Sequence, residues 1–481
     1  MASSPDTATE VTSSTGESAA GWGFRTWAML VVVCGAFSLD ALDNIMVGIA
    51  VPPIQAEFGM TAAAVQWVVS AYVLGFGGFL LLGGRMADLL GRRRVFLVGV
   101  AIFAVGSFVG GISEAGTLVI ASRFIMGVGA AFTAPAALSI IVTTFPEGAQ
   151  RNRALGIYTA CGAVGYSTGV ILGGLLTELG WRWTFLLPVP VALLAFFGGL
   201  AFVPRDPATN GVKRNYDVAG ATTVTAAMLL LVYTIVEAPI AGWLSAKTLG
   251  FFAVALVLLA AFVVIERRTA QPLLRLGLLR NKSLVGASLV AAAILGTYMS
   301  FQFIGGLYLQ SFRGWSPLEM ALTFLPIGLL IATIAPRAGK LIGRFGIHWM
   351  IFAGFVAYTL SYVFFLRIDE TSSYLWVVLP SIVLIGIAFP FSFPAANVQA
   401  TTGVADSEQG AAAGILQTGY QVGAAIVLAV VSATMQATPA GGRADTLASF
   451  HNGLYVVTAL SVITMLATLV AALRARRSSR V

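Results

Sequence analysis

The chain has 481 residues, 58% hydrophobic and only 10% charged, with a formal net charge of +8. A mean hydropathy of +0.89 lies far above that of a water-soluble domain of this length, so a soluble globular chain is excluded and an integral membrane protein is required. The alternating pattern of a transmembrane barrel is absent, which leaves an all-α membrane protein.

Residues 1–25 begin MASSPDTATEVTSSTGESAAG, rich in Ser, Thr and Ala, and read as a disordered cytoplasmic tail. They have no basic start and no short apolar core with a cleavage site, so no removable signal peptide is read. A hydrocarbon core about 30 Å thick needs roughly 20 apolar residues per helix. Fourteen such runs follow, over 26–54, 62–84, 95–112, 117–143, 153–179, 183–203, 217–236, 247–265, 283–309, 317–335, 348–367, 374–400, 410–433 and 452–473. The short connections leave no room for a soluble catalytic domain.

Span 1 contains FSLDALDNIMVGIAVPPI, in which Asp40 and Asp43 interrupt an apolar run. A charge at the bilayer centre costs about 2.5–3.5 kcal/mol on insertion scales, so intramembrane acids face water, a partner or each other. Three residues apart, the two aspartates are neighbours on a helix, and Asn44 and Val47 continue their stripe, which is expected to line a central aqueous cavity. Two carboxylates this close in a low dielectric titrate as a unit, which is the chemistry of proton coupling. The alternative is a structural knot, with one aspartate fixed permanently by Arg123 in span 4.

After span 2 comes GRMADLLGRRR, in which Gly84 and Gly91 permit sharp turns and close helix approach, while Asp88 can accept from a neighbouring helix N-terminus or pair with Arg92 or with a base on another span. These four residues read as a cytoplasmic gate rather than topogenic charge alone. Arg123 lies at a depth near that of Asp43 and is its natural counter-charge, leaving Asp40 freer to meet substrate or proton. Span 5 carries Gly162, Gly165, Gly169, Gly173 and Gly174, a smooth face for a tight helix seam. Gln66, Tyr72, Tyr298, Gln302, Asn397, Gln417 and Gln421, with Asn44, are candidates to line the cavity, or equally to hydrogen-bond helix to helix. Cys34 and Cys161 lie in separate apolar spans and read as small hydrophobes. No metal site and no cofactor is predicted.

With the N-terminus inside, 22 of the 28 basic residues fall in inner segments, five in outer loops, and Arg123 within a span. Both termini are therefore expected in the cytoplasm, the last as a basic tail over 474–481. The net charge reads as topology, and no nucleic-acid partner is called for. Basic residues are 24 Arg to 4 Lys, a composition of GC-rich bacteria, so the bilayer is read as a bacterial inner membrane.

GKLIGRFG, Gly339 to Gly346, repeats the loop from Gly84, with Gly343 standing where the first copy has Asp88. The repeat predicts two homologous six-helix bundles, over 26–203 and 283–473, with an inserted helix pair over 217–265; such repeats place a substrate site between the halves near the midplane. The chain resembles the major facilitator superfamily, most of all its fourteen-span drug:proton antiporter branch. The resemblance rests on GRMADLLGRRR, on RFIMGVGAA from Arg123, on GYSTGVILGG from Gly165, and on LDNIMVGIAVPPI in span 1. It implies a gating role for the first stretch and a part in proton movement for Arg123. It departs from the family at Val170, where proline is usual, at Met126, where glutamine is usual, and at Ile45 and Gly48, where polar residues are usual.

The reading is a proton-coupled secondary transporter that exports small amphipathic drugs, antibiotics or natural products by alternating access, working as a monomer. A carrier coupled differently, by uptake or independently of protons, is the alternative, and a non-transporting membrane sensor stands further off. No G-x-x-x-x-G-K-[ST] loop is present, which speaks against direct ATP hydrolysis, and no catalytic grouping marks an enzyme.

Overall fold

In lipid, every backbone polar group must be satisfied within the chain, and this sequence does so with helices. A computed structural model describes residues 22–60, 62–205, 217–269, 272, 276–315, 317–405, 408–436 and 442–478. Most of the tail expected over 1–25 lies outside the described residues, as do Lys213, Arg214 and the last three residues. The helices are α1 (Phe24–Phe58), α2 (Ala62–Leu90), α3 (Arg92–Gly111), α4 (Gly116–Thr144), α5 (Ala149–Leu179), α6 (Arg182–Leu186), α7 (Pro188–Phe202), α8 (Val218–Ala241), α9 (Ala246–Arg268), α10 (Lys282–Gly306), α11 (Pro317–Ile334), α12 (Ala338–Phe345), α13 (Ile347–Phe365), α14 (Leu379–Thr401), α15 (Gln409–Gln436) and α16 (Arg443–Ser478). Short α6 runs into α7, and α11 runs through a 3₁₀ turn into α12, so that 14 membrane-length apolar spans result.

Two expectations are corrected at span ends. The stretch RMADLL is not a loop but the last turns of α2, because these residues are mostly good helix formers and extending a helix is easier than nucleating one. For the same reason α16 continues through 474–478 into the expected basic tail. The chain turns instead at Gly91, whose φ of 98° favours glycine, and in the repeat at Gly346, with φ of 86°.

In the first bundle α4 packs on α2 and α3, and α1 on α5 and α7; in the second α15 packs on α10, and α13 on α14 and α16. The bundles meet along α2 with α15 and along α5 with α11 and α12. The inserted helices α8 and α9 pair with each other, and α8 lies over the line where α2 meets α15. Leu229 of α8 fits over Gly78, and Tyr233 stacks on Trp67 with ring centres 5.6 Å apart. On α9, Leu249, Val254, Leu256, Val257 and Val264 stay exposed, as a lipid-facing helix requires. Near the start of α1, Trp22 packs against both Trp27 and Phe145, and the Arg153 guanidinium lies 4.7 Å above the Trp22 ring.

Candidate functional site

The two acids of α1 face different surroundings. Arg123 of α4 donates from its guanidinium to Asp43 Oδ2 at 2.5 Å and to the Val68 carbonyl at 3.1 Å, and both residues are fully buried. The Arg123 carbon sits 4.4 Å from the centre of the Tyr72 ring, and Met126 offers its sulfur to the same guanidinium at 3.9 Å. Met126 thus occupies the departure position with a weak acceptor. Asp43 Oδ1 has no hydrogen-bond partner among the described residues, so the ion pair is held by one oxygen alone. Asp40 is half-buried and accepts a hydrogen bond from the Tyr72 hydroxyl, while Asn44 donates to the Asp40 carbonyl at 2.9 Å.

Between the bundles lies a cavity of about 450 Å³, within the range of drug-sized sites. Phe37, Asp40, Ala41, Asn44 and Ile45 supply the α1 wall. Asp43 and Val47 do not reach it, which corrects the expectation of one continuous stripe. At about 100° per residue, the five lining residues cover one side of the helix, and Asp43 falls well off its centre, toward α4. Tyr72, Tyr298, Gln417 and Gln421 line the cavity with Asp40 and Asn44. Gln302 and Asn397 do not. Gln302, one turn beyond Tyr298, accepts from Tyr166 at 2.8 Å and donates to Tyr298 at 2.9 Å, tying α5 to α10. Asn397 is buried behind Phe393, donating to its carbonyl at 2.8 Å and contacting the Tyr420 hydroxyl at 3.5 Å. The Gln66 side chain lies outside the described residues.

The remaining wall was not anticipated. Tyr166 and Tyr420 also line the cavity, with Phe76, Phe389 and Phe393. Tyr166 stands inside the glycine-rich stretch of α5, and Tyr420 between two glutamines already singled out at helical spacing, so both were within reach of the sequence.

Beyond the cavity, at the ends of α2 and α15, Asp88 accepts from the backbone N–H of Gly410 at 2.9 Å and of Ala411 at 2.8 Å. These are free donors of the first turn of α15, where a carboxylate also meets the helix dipole. Arg85 and Arg92 add positive charge nearby. Gly84 is not a turn but a contact: a Cβ there would come within 2.5 Å of the Gly410 carbonyl. In the repeat, a Cβ at Gly339 would lie 2.7 Å from the Arg153 amide at the start of α5. On the face of α5 toward α1, Gly162 meets Phe37, Gly165 meets Ser38, Gly169 meets Leu42 and Gly173 meets Met46. Gly174 is corrected: a Cβ there meets nothing within 4 Å, because one residue past Gly173 the helix has turned away. Cys34 and Cys161, on separate spans, come together across this seam as free thiols.

A bundle pair with a drug-sized cavity between its halves, a buried acid–arginine pair and a carboxylate bonded across the bundles has the organisation of a secondary carrier. The chain belongs to the Major Facilitator Superfamily, whose family model matches residues 33–428. It is 37% identical over 427 residues to the puromycin resistance protein pur8 of Streptomyces alboniger, covering 88% of this chain and 84% of that one. It is 34% identical over 426 residues to the tetracenomycin C resistance and export protein of Streptomyces glaucescens, covering 87% and 77%. Its fold matches the crystal structure of the human organic anion transporter MFSD10 with a TM-score of 0.68 at 15% identity, over 93% of this chain and 100% of that one.

Proposed function

We propose that this chain exports small amphipathic molecules of the antibiotic or natural-product kind in exchange for protons, by alternating access, from the cytoplasm across a bacterial inner membrane. The observation that carries the reading is the division of labour in α1: Asp40 opens on a mainly apolar cavity of about 450 Å³, while Asp43 is neutralised in the wall by Arg123. An acid beside an apolar drug-sized space can hold either a proton or the polar end of a substrate, and that competition couples the two. The names of the puromycin and tetracenomycin C relatives support the substrate class. Asp40, Asp43 and Arg123 form the coupling group in this reading. Gly84, Asp88, Gly91 and Arg92 form the inner gate, and Gly162, Gly165, Gly169 and Gly173 the seam on which α5 moves past α1. The moving bodies are 26–203 and 283–473, with 217–265 riding on the first, both termini lie in the cytoplasm, and one chain suffices.

The test is internal pH in proteoliposomes with a pre-set proton gradient, as lipophilic cations and neutral antibiotics are added in turn. Wild type is expected to show substrate-dependent proton flux, Asp40→Asn to bind substrate without proton flux, and Asp43→Asn to keep a reduced flux. Substrate movement without proton flux in the wild type, unchanged in both variants, would sink the coupling.

A further inference from the structure

Asp40 has a second side. Beside the central cavity, with which it shares Phe37, Asp40 and Ala134, a void of about 20 Å³ lies between α1, α3, α4 and α5. One water needs roughly 10–15 Å³ and two to four polar partners. The void's wall is apolar from α3, where Val100 and Phe103 stand, and mainly alanine from α4. Three polar side chains break it: Asp40, Thr133 and Tyr158. The Thr133 hydroxyl donates to the Gly129 carbonyl at 2.9 Å and keeps lone pairs for another donor. Tyr158 is 1% exposed, and its hydroxyl has no partner among the described residues. A buried hydroxyl left alone is costly, and ordered water is a common remedy. The phenol has little freedom to seek another partner, because its ring stacks on Phe37 with centres 4.2 Å apart and planes 14° from parallel.

We propose that this void is a single-water site that bridges the Tyr158 hydroxyl to the Asp40 carboxyl, so that the coupling acid is held through water on one side and open to substrate on the other. The inference rests on the coupling role given to Asp40 under Proposed function. When Asp40 is ionised, Tyr158 donates to the water and the water donates to the carboxylate; when it is protonated, the carboxyl donates to the water and the water donates to Tyr158. Both phenol and water can reverse in this way. Tyr158 is a positioning residue, acting on the acid through the water. The other titratable groups around the pair are Asp43 and Cys34 on α1, Tyr72 on α2, Arg123 on α4, Cys161 on α5, and Tyr420 on α15; α3 contributes none to the void.

The experiment is infrared titration of the purified protein in lipid, reading the protonated-carboxyl stretch of Asp40, identified by its loss in Asp40→Asn. Tyr158→Phe keeps the stacked ring and removes the donor. It is expected to move the midpoint upward by about half to one pH unit, since the ionised form loses a hydrogen bond, and to shift the stretch frequency. Thr133→Val is expected to move both in the same direction by less. An Asp40 band with the same midpoint and frequency in wild type, Tyr158→Phe and Thr133→Val overturns the site. The coupling reading fails separately, if proteoliposomes transport substrate without proton flux while the Tyr158→Phe band still shifts.

Discussion

At the scale of single residues, the pair formed by Asp43 and Arg123 is the point of greatest energetic exposure. Both groups are out of contact with solvent, and removing one partner of such a pair typically costs about 3–5 kcal/mol because the other charge is left buried and alone. Arg123→Ala is therefore expected to lower the melting temperature of the protein in detergent markedly, and the double variant with Asp43→Asn to recover much of the loss. Additive losses in that cycle would mean that the two side chains do not act on each other. Their meeting was legible in the sequence, because two charges of opposite sign at similar depths in an apolar chain have few other partners. That Asp40 would be the freer of the two acids was read as well; that Asp43 would not reach the cavity at all was not. Spacing puts Asp40 and Asp43 on neighbouring positions, but the cavity edge runs between them, and only the placement of α4 decides on which side each falls. Gln302 and Asn397 were misplaced for a related reason: polarity marks a side chain that needs a partner, and a tyrosine hydroxyl or a backbone carbonyl serves as well as substrate does.

At the scale of elements, the short repeat is mirrored in the backbone. Gly84 and Gly339 each press on the start of a helix in the opposite bundle, α15 and α5 respectively, and Gly91 and Gly346 each turn the chain seven residues later. The copies differ in one decisive atom group: Asp88 grips the first turn of α15 with both carboxylate oxygens, whereas Gly343 has no side chain to grip α5. Hydrogen bonds to a charged group contribute about 1.5–3 kcal/mol, enough to shift an open–closed equilibrium by roughly tenfold or more. Asp88→Ala is expected to widen the distance between spin labels on the Asp88 end of α2 and the start of α15 and to slow export, with Asp88→Asn intermediate because it keeps one acceptor oxygen. Unchanged label distances in Asp88→Ala would remove the latch from the mechanism. The sequence offered this contact as one option beside Arg92 and a base on another span, and the docking of the end of α2 on the start of α15 selects the helix terminus.

At the scale of the whole molecule, the close backbone contacts between the bundles gather at one end of the cavity. Gly84 with Gly410, Gly156 with Ala335, and Gly339 with Arg153 all lie toward the Asp88 side, where glycine lets main chains touch. The cavity instead extends the other way, to Val69 on α2 and Leu428 on α15, each nearer the opposite end of its helix. The arrangement is that of a carrier closed on the Asp88 side, with α8 covering the line between α2 and α15 against lateral passage. In a background with Cys34 and Cys161 replaced, Val69→Cys and Leu428→Cys are expected to react with a membrane-impermeant maleimide from the face opposite Asp88. Ala335→Cys, on the sealed end, is expected to resist the reagent from either face. A transported substrate should protect Leu428→Cys, since that side chain lines the space it fills, and should expose Ala335→Cys as the bundles exchange their open ends. If Ala335→Cys reacted readily before any substrate was added, the seal on the Asp88 side would be open in the resting protein, and the latch at Asp88 could not be what holds the two bundles together.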